Sequence, residues 1–117
     1  KNKCPYAILH CVSTYPCDEK DLNLKTIQTL KKKFKCQIGY SGHESSVSPS
    51  IIVSMLGAEI IERHITLDRS MWGTDQSASL EEDGISQLTS VLNKIPLMIG
   101  TGIKKTSLEE KKNAYKI

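Results

Sequence analysis

No apolar stretch in this sequence approaches the roughly 20 residues that a membrane-spanning helix requires. The charged start Lys1-Asn2-Lys3 is not followed by the apolar core of a signal peptide. Among the four cysteines, Cys4, Cys11, Cys17 and Cys36, there is no C-x-x-C pair and no zinc-knuckle spacing. A Gly-rich phosphate fingerprint follows none of the candidate strands, which argues against a dinucleotide-binding fold. Aromatic residues make up only 5% of the chain, and the two lysine clusters, residues 31–35 and 104–112, carry no stacking series of them. Those clusters therefore read as solvated helix faces rather than as a surface for nucleic acid.

What is present fits one small core and no more, since 117 residues suffice for a single domain or a piece of one. The formal charge of +3 arises from 16 basic and 13 acidic residues, a mild imbalance. An even cysteine count leaves disulfides open. Against them, Cys11 stands in an apolar run that reads as a buried strand, where a free thiol acts as a small hydrophobe. The expectation is a reduced, cytoplasmic protein.

Residues 7–12 (AILHCV) form a short apolar run bounded by Pro5 and the turn at Pro16, the pattern of a buried parallel strand. Leu24, Ile27, Leu30 and Phe34 then recur at helical spacing on a segment whose other face is Lys-rich. The unit repeats: a strand at residues 37–40, then a helix with Ser48 as its expected N-cap, Pro49 at the first helical position and Gly57 as its stop. A third strand at residues 58–65 leads into a long polar loop, residues 66–78. Ser79 and Glu82 have capping-box spacing for a third helix, with Ile85, Leu88 and Leu92 as its apolar stripe. Three strand–helix units predict a parallel sheet with right-handed crossovers, either doubly wound or part of a barrel. Residues 97–117 read as a tail with a Gly100-Thr101-Gly102 turn and a basic, helix-compatible segment.

Side chains two apart on a strand share a face. Ser13 with Tyr15, Ser41 with His43, and Glu62 with His64 are such pairs, each at the C-terminal end of its strand, where parallel α/β folds build their sites. A lone histidine there is ordinarily structural. Two on adjacent strands, with Glu62 beside one, form a candidate divalent-metal site completed by water or substrate oxygens; zinc with a third ligand stays open. Glu62 on an inward face calls for a polar cavity or an ion pair. The 66–78 loop exceeds an ordinary connection, so its Trp72 and Asp75 are candidates for substrate contact, with a plain surface loop as the alternative.

Four strings, HCVSTYP (residues 10–16), GYSGHE (39–44), IERHITLD (61–68) and MWGTDQSASLE (71–81), occur in an order that closely resembles the N-acetylneuraminate (sialic acid) synthase family, with its legionaminate-type and pseudaminate-type relatives. The resemblance implies a (β/α)8 TIM barrel of which this chain supplies the last three βα units, residues 1–96, followed by a tail at 97–117 leading toward an antifreeze-like domain. It implies condensation of phosphoenolpyruvate with an N-acylated mannosamine-type sugar, a Mn2+ or Mg2+ cofactor held by His43 and His64, and a homodimer of the full-length protein. By the same resemblance, Ser13, Tyr15 and Ser41 contact phosphoenolpyruvate, Asp75 contacts the sugar, and Glu62 is the catalytic carboxylate beside the metal. Many members have Asn at the Ser13 position and some have Asp at the Gly42 position. The rival expectation is a non-catalytic homologue or basic interaction module. The isolated chain is expected to be catalytically silent, because three units leave two open strand edges.

Overall fold

The computed structural model describes residues 3–115. Three strands, β1 (Ala7–Cys11), β2 (Gln37–Gly42) and β3 (Ile60–Arg63), form one sheet in the order β1-β2-β3. Both pairings are parallel, with Cys11 opposite Ser41, and Ser41 opposite Glu62. Four α-helices accompany them: α1 (Thr26–Lys33), α2 (Ser48–Met55), α3 (Glu82–Ile99) and α4 (Leu108–Ala114). The expected strand–helix alternation and the parallel, adjacent strands are thus found.

Ile38 and Tyr40 project from β2 into a buried cluster with Ile27 of α1 and Val53 of α2, joined by Ile8, Leu30, Phe34 and Ile61. One cluster holds both helices, so α1 and α2 cover the same face of the sheet. The other face, carrying Cys11, Ser41 and Glu62, has no helix on it. Burial of the four central side chains stabilises by about 1.5–3 kcal/mol each, and this ties the sheet to its helices. α3 packs against α2, with Leu88 of its predicted stripe buried.

Several local expectations are corrected. Ser48 is the first helical residue of α2 rather than its N-cap; Val47 holds the cap position and no side chain caps the helix. The 79/82 capping box does not form. Leu80 is drawn into a parallel bridge with Ile65, its N–H donating to His64 O and its carbonyl accepting from Thr66 N. That pairing keeps Ser79 extended, and its hydroxyl donates instead to Asp75 O at 2.7 Å. Helix α3 consequently starts at Glu82, and it runs through Pro96 to Ile99 before Gly100 takes φ +62°, so the helix crosses the boundary read at residue 96. A proline near a helix end removes a single ladder bond, which the exposed last turn tolerates. Gly57, at φ +101°, does close α2. The basic tail segment is helical as α4, with a capping box at Ser107 and Glu110. Cys11 is exposed, not buried, because it stands at the end of an edge strand on the face without helices; all four cysteines are free thiols.

Candidate functional site

Past the last ladder pair, Gly42 opposite Arg63, the chain continues from β2 into His43 and from β3 into His64. Their rings meet edge to face with centroids 5.0 Å apart. Tyr15, from the loop after β1, lies against His43 at 4.4 Å and against His64 at 5.8 Å. That loop is pinned to β2 by the Cys17 N–H donating to His43 O at 2.9 Å. His43 is 4% exposed, so the site buries one imidazole under Tyr15 and the loop and leaves the other half-buried.

His43 Nδ1 is 3.2 Å from the Val12 carbonyl. A carbonyl only accepts, so Nδ1 is the donor in this contact, and Nε2 is the ring nitrogen that the backbone leaves unengaged. This is the orientation expected of a metal-binding histidine whose far nitrogen is held by an outer hydrogen bond. His64 Nδ1 is 3.6 Å from Asp75 Oδ2, an ion-pair distance when the ring is protonated and too long for a hydrogen bond. Ser41 donates to Glu62 Oε1 at 2.7 Å. Glu62 is exposed on the face without helices and bonds to this hydroxyl rather than forming an ion pair. Among the described residues no group of three His, Cys, Asp or Glu stands close enough to hold a metal, so the two imidazoles are the donors on offer.

Of the residues singled out from sequence, the fold therefore joins Tyr15, His43, His64 and Asp75 in one cluster and Ser41 with Glu62 in a pair beside it. Ser13 is linked only through the Cys11 thiol, which lies 3.5 Å from its hydroxyl and 3.8 Å from His43 Nδ1. Trp72 is 99% exposed and stands apart from the cluster. A concavity of about 440 Å3, mostly apolar, is lined by Ile65, Thr66, Leu67, Glu82, Ile85 and Ser86 and by neither histidine. Hydrogen bonding and ring contacts, not concavity, mark the polar site.

Sequence reasoning gave no role to Glu44 and Arg63, the neighbours of the two histidines. On the helix-covered face Arg63 Nη1 donates to Glu44 Oε1 at 3.0 Å, to Ser46 O at 2.9 Å and to Ser50 Oγ at 3.1 Å, while Nη2 donates to Glu44 O. Tyr40 donates to the second carboxylate oxygen, Oε2, at 2.8 Å. Both charged side chains are buried, at 0% and 4% exposure, and only Arg63 Nε lacks a partner. Burial, reinforced by the hydrogen bond to Glu44, raises the Tyr40 phenol far above its ordinary value, and burial lowers the Arg63 guanidinium while Glu44 opposes that shift. A Cβ at Gly42 would come within 2.7 Å of the Tyr40 ring and within 2.9 Å of both carboxylate oxygens. The bare backbone there is what admits the buried carboxylate. The sequence signal was available: Glu44 and Arg63 follow and precede the histidines, so alternation places them on the opposite face.

Parallel strands that bring polar side chains together at their carboxyl ends define an α/β protein with its site at the C-terminal edge of the sheet. The chain belongs to the NeuB family, whose model matches residues 1–104. It is 42% identical over 106 residues to the N,N'-diacetyllegionaminic acid synthase of Campylobacter jejuni, covering 91% of this chain and 32% of that protein. It is 46% identical over 93 residues to the N-acetylneuraminate-9-phosphate synthase of Drosophila melanogaster, covering 79% and 25%. A crystal structure of N-acetylneuraminic acid (sialic acid) synthetase from Leptospira borgpetersenii, in complex with citrate, superposes with a TM-score of 0.76 at 37% identity, over 94% of this chain and 39% of that one. The chain thus spans between a quarter and a third of the length of these curated relatives.

Proposed function

We propose that this chain is the last three βα units of a (β/α)8-barrel synthase that condenses phosphoenolpyruvate with an N-acylated mannosamine-type sugar, giving a nine-carbon 2-keto acid of the sialic type and phosphate. The observation that carries this reading is the His43–His64–Tyr15 cluster at the ends of consecutive parallel strands, with the His43 tautomer set by Val12 O. The unreversed strand order and the placement of α1 and α2 on one face support a barrel over a doubly wound sheet. Relatives named as legionaminic acid and N-acetylneuraminate-9-phosphate synthases support the reaction class.

In the proposed reaction the methylene carbon of phosphoenolpyruvate attacks the sugar aldehyde carbon. Water then adds at the former enol carbon, and phosphate leaves by C–O cleavage. His43 and His64 would hold a divalent ion, Mn2+ or Mg2+, whose chemistry is to polarise the aldehyde oxygen. Tyr15, packed on both imidazoles, restricts the rings and shields them from water. Ser41 fixes the Glu62 carboxylate through its hydroxyl, leaving Glu62 positioned to orient water or to take its proton. Asp75, beside His64 on an exposed loop, is placed to receive sugar hydroxyls. On this reading Ser13 would contact phosphoenolpyruvate. No helix among the described residues is long and apolar enough to cross a membrane, and the free thiols accord with a cytoplasmic location. The full-length protein is proposed to be a homodimer, with residues 97–117 leading toward a further domain.

The test is phosphate release by the full-length protein given phosphoenolpyruvate, N-acetylmannosamine and Mn2+. Release that needs both substrates and stops on chelation is the expected result. Release from phosphoenolpyruvate alone, or none with any N-acylated mannosamine, would refute the reading. The isolated 117-residue chain should release none, since β1 and β3 are both open edges.

A further inference from the structure

Residue pairing between β2 and β3 ends just before the two histidines. The last ladder pair is Gly42 opposite Arg63, so His43 and His64 are the first residues beyond the paired positions. Each is anchored to another part of the chain: His43 O accepts from Cys17 N, and His64 O accepts from Leu80 N. What spans the two strands at this level is the Arg63 fork. It reaches from the residue before His64 to both the side chain and the carbonyl of the residue after His43, and then to Ser46 and Ser50 at the start of α2.

We propose that Glu44, Arg63 and Tyr40 form a positioning unit that sets the spacing of His43 and His64 and the ring orientation of His43 from the opposite face of the sheet. The inference rests on reading those histidines as metal ligands. Three features distinguish the unit from an ordinary buried ion pair. It links the two strands just beyond the last ladder pair. Its carboxylate is held at both oxygens, by Arg63 and Tyr40, so Glu44 has a single orientation available. Gly42 leaves the space that lets this carboxylate lie against the Tyr40 ring directly behind His43. A planar five-donor guanidinium suits the task because it meets one residue at both its side chain and its backbone, which a lysine ammonium cannot do with fixed geometry.

The experiment uses the full-length protein and three variants. The first is Tyr40→Phe/Glu44→Met/Arg63→Met, which leaves no unpaired buried charge and is therefore compatible with folding. The others are Arg63→Lys and His64→Ala. Manganese affinity is measured by calorimetry, the histidine tautomers of the metal-free protein by 15N shifts, and the fold by thermal melting. The triple variant is expected to melt cooperatively while manganese affinity falls about 10–100-fold, the usual effect of losing outer support. The His43 ring should also change from one Nδ1–H tautomer to an exchanging mixture. Arg63→Lys should fall between parent and triple variant. A cooperatively folded triple variant with parent affinity and a single tautomer would overturn the inference. If the triple variant does not fold, parent-like affinity and tautomer in Arg63→Lys overturn it, and reduced affinity with tautomer exchange supports it. His64→Ala separates the two readings: parent-like affinity there removes the metal site and this inference with it, whereas lost affinity there beside an unchanged triple variant removes the positioning unit alone.

Discussion

On the helix-covered face of the sheet the Glu44 carboxylate is fully buried and bonded to Arg63 and Tyr40, whereas on the other face the Glu62 carboxylate is exposed and accepts one hydrogen bond, from Ser41. Glu62 lies within one residue of Arg63, and Glu44 within one of His43. Strand alternation alone sends these neighbours to opposite faces. On the first face a charge survives burial because nearly every lone pair and donor is used. On the second, unused valences remain: His43 Nε2 and one oxygen of Glu62. Saturation suits a support and spare capacity suits a site, and the two are one peptide bond apart.

The largest expected effect breaks the second face without the first. His43→Ala in the full-length protein should abolish turnover and weaken manganese binding, because the proposed two-histidine site has no protein ligand to spare. Thermal melting should shift little, since the ring's polar contacts are to a loop carbonyl and an exposed thiol. Turnover, calorimetric metal titration and melting on one preparation check it. Large destabilisation with metal binding retained would make His43 a member of the support instead.

Next comes the converse. Arg63→Met leaves Glu44 buried without its cation and should destabilise by about 3–5 kcal/mol, the usual cost of removing one partner of a buried pair. Denaturant midpoints measure it, and a loss under about 1 kcal/mol would place Glu44 in contact with water, contrary to its burial.

This contrast also shows what could be read from sequence. The strands, their parallel order and the shared face of Ser41, His43, Glu62 and His64 follow from period-two spacing and short apolar runs, which are local signals. The ends of the elements were less legible. Ser79 carries a capping-box pattern, yet its neighbour Leu80 is claimed by a bridge to Ile65, and a tertiary hydrogen bond outweighs a local cap. Cys11 looks buried because its run is apolar, and exposure of an edge depends on what lies beside it. Glu44 and Arg63 were in plain view as charges at strand ends. That they pair with each other depends on the β2–β3 register, which composition does not specify.

Tyr40 gives a smaller effect with a characteristic pH dependence. Burial, then the bond to Glu44, raises its folded-state pKa. The folded protein therefore keeps the proton where the unfolded chain loses it, and the associated stability is complete below the unfolded value of about 10 and declines as pH rises above it. Tyr40→Phe should cost about 1–2 kcal/mol at neutral pH through the lost hydrogen bond, and it should remove this part of the alkaline decline. Denaturant midpoints compared at about pH 8 and about pH 11 test both points, and an unchanged alkaline slope in the variant would exclude Tyr40 as its source.

The smallest effect concerns α1, far from both faces of the site, where the lysines at residues 31–33 look interchangeable in sequence. Lys31 differs from its neighbours. Its Nζ donates to the Gly57 carbonyl at 2.8 Å and to Glu59 Oε1 at 3.3 Å, linking the end of α1 to the turn that leads into β3. Its side-chain carbons also lie along Gly57, which sits at φ +101°. Lys32 is exposed and makes no hydrogen bond or ion pair in the described structure. Lys31→Ala should therefore destabilise by about 0.5–1 kcal/mol, mostly through the bond to a carbonyl at a helix end, because the half-exposed ion pair with Glu59 is screened. Lys32→Ala should stay within about 0.5 kcal/mol of the parent. Neither should alter manganese affinity or turnover, since among the described residues no hydrogen bond connects α1 to the histidines. Equal effects of the two substitutions in denaturant titrations would mean that the Gly57 contact contributes nothing, and a change in metal affinity from either would mean that the site extends through α1.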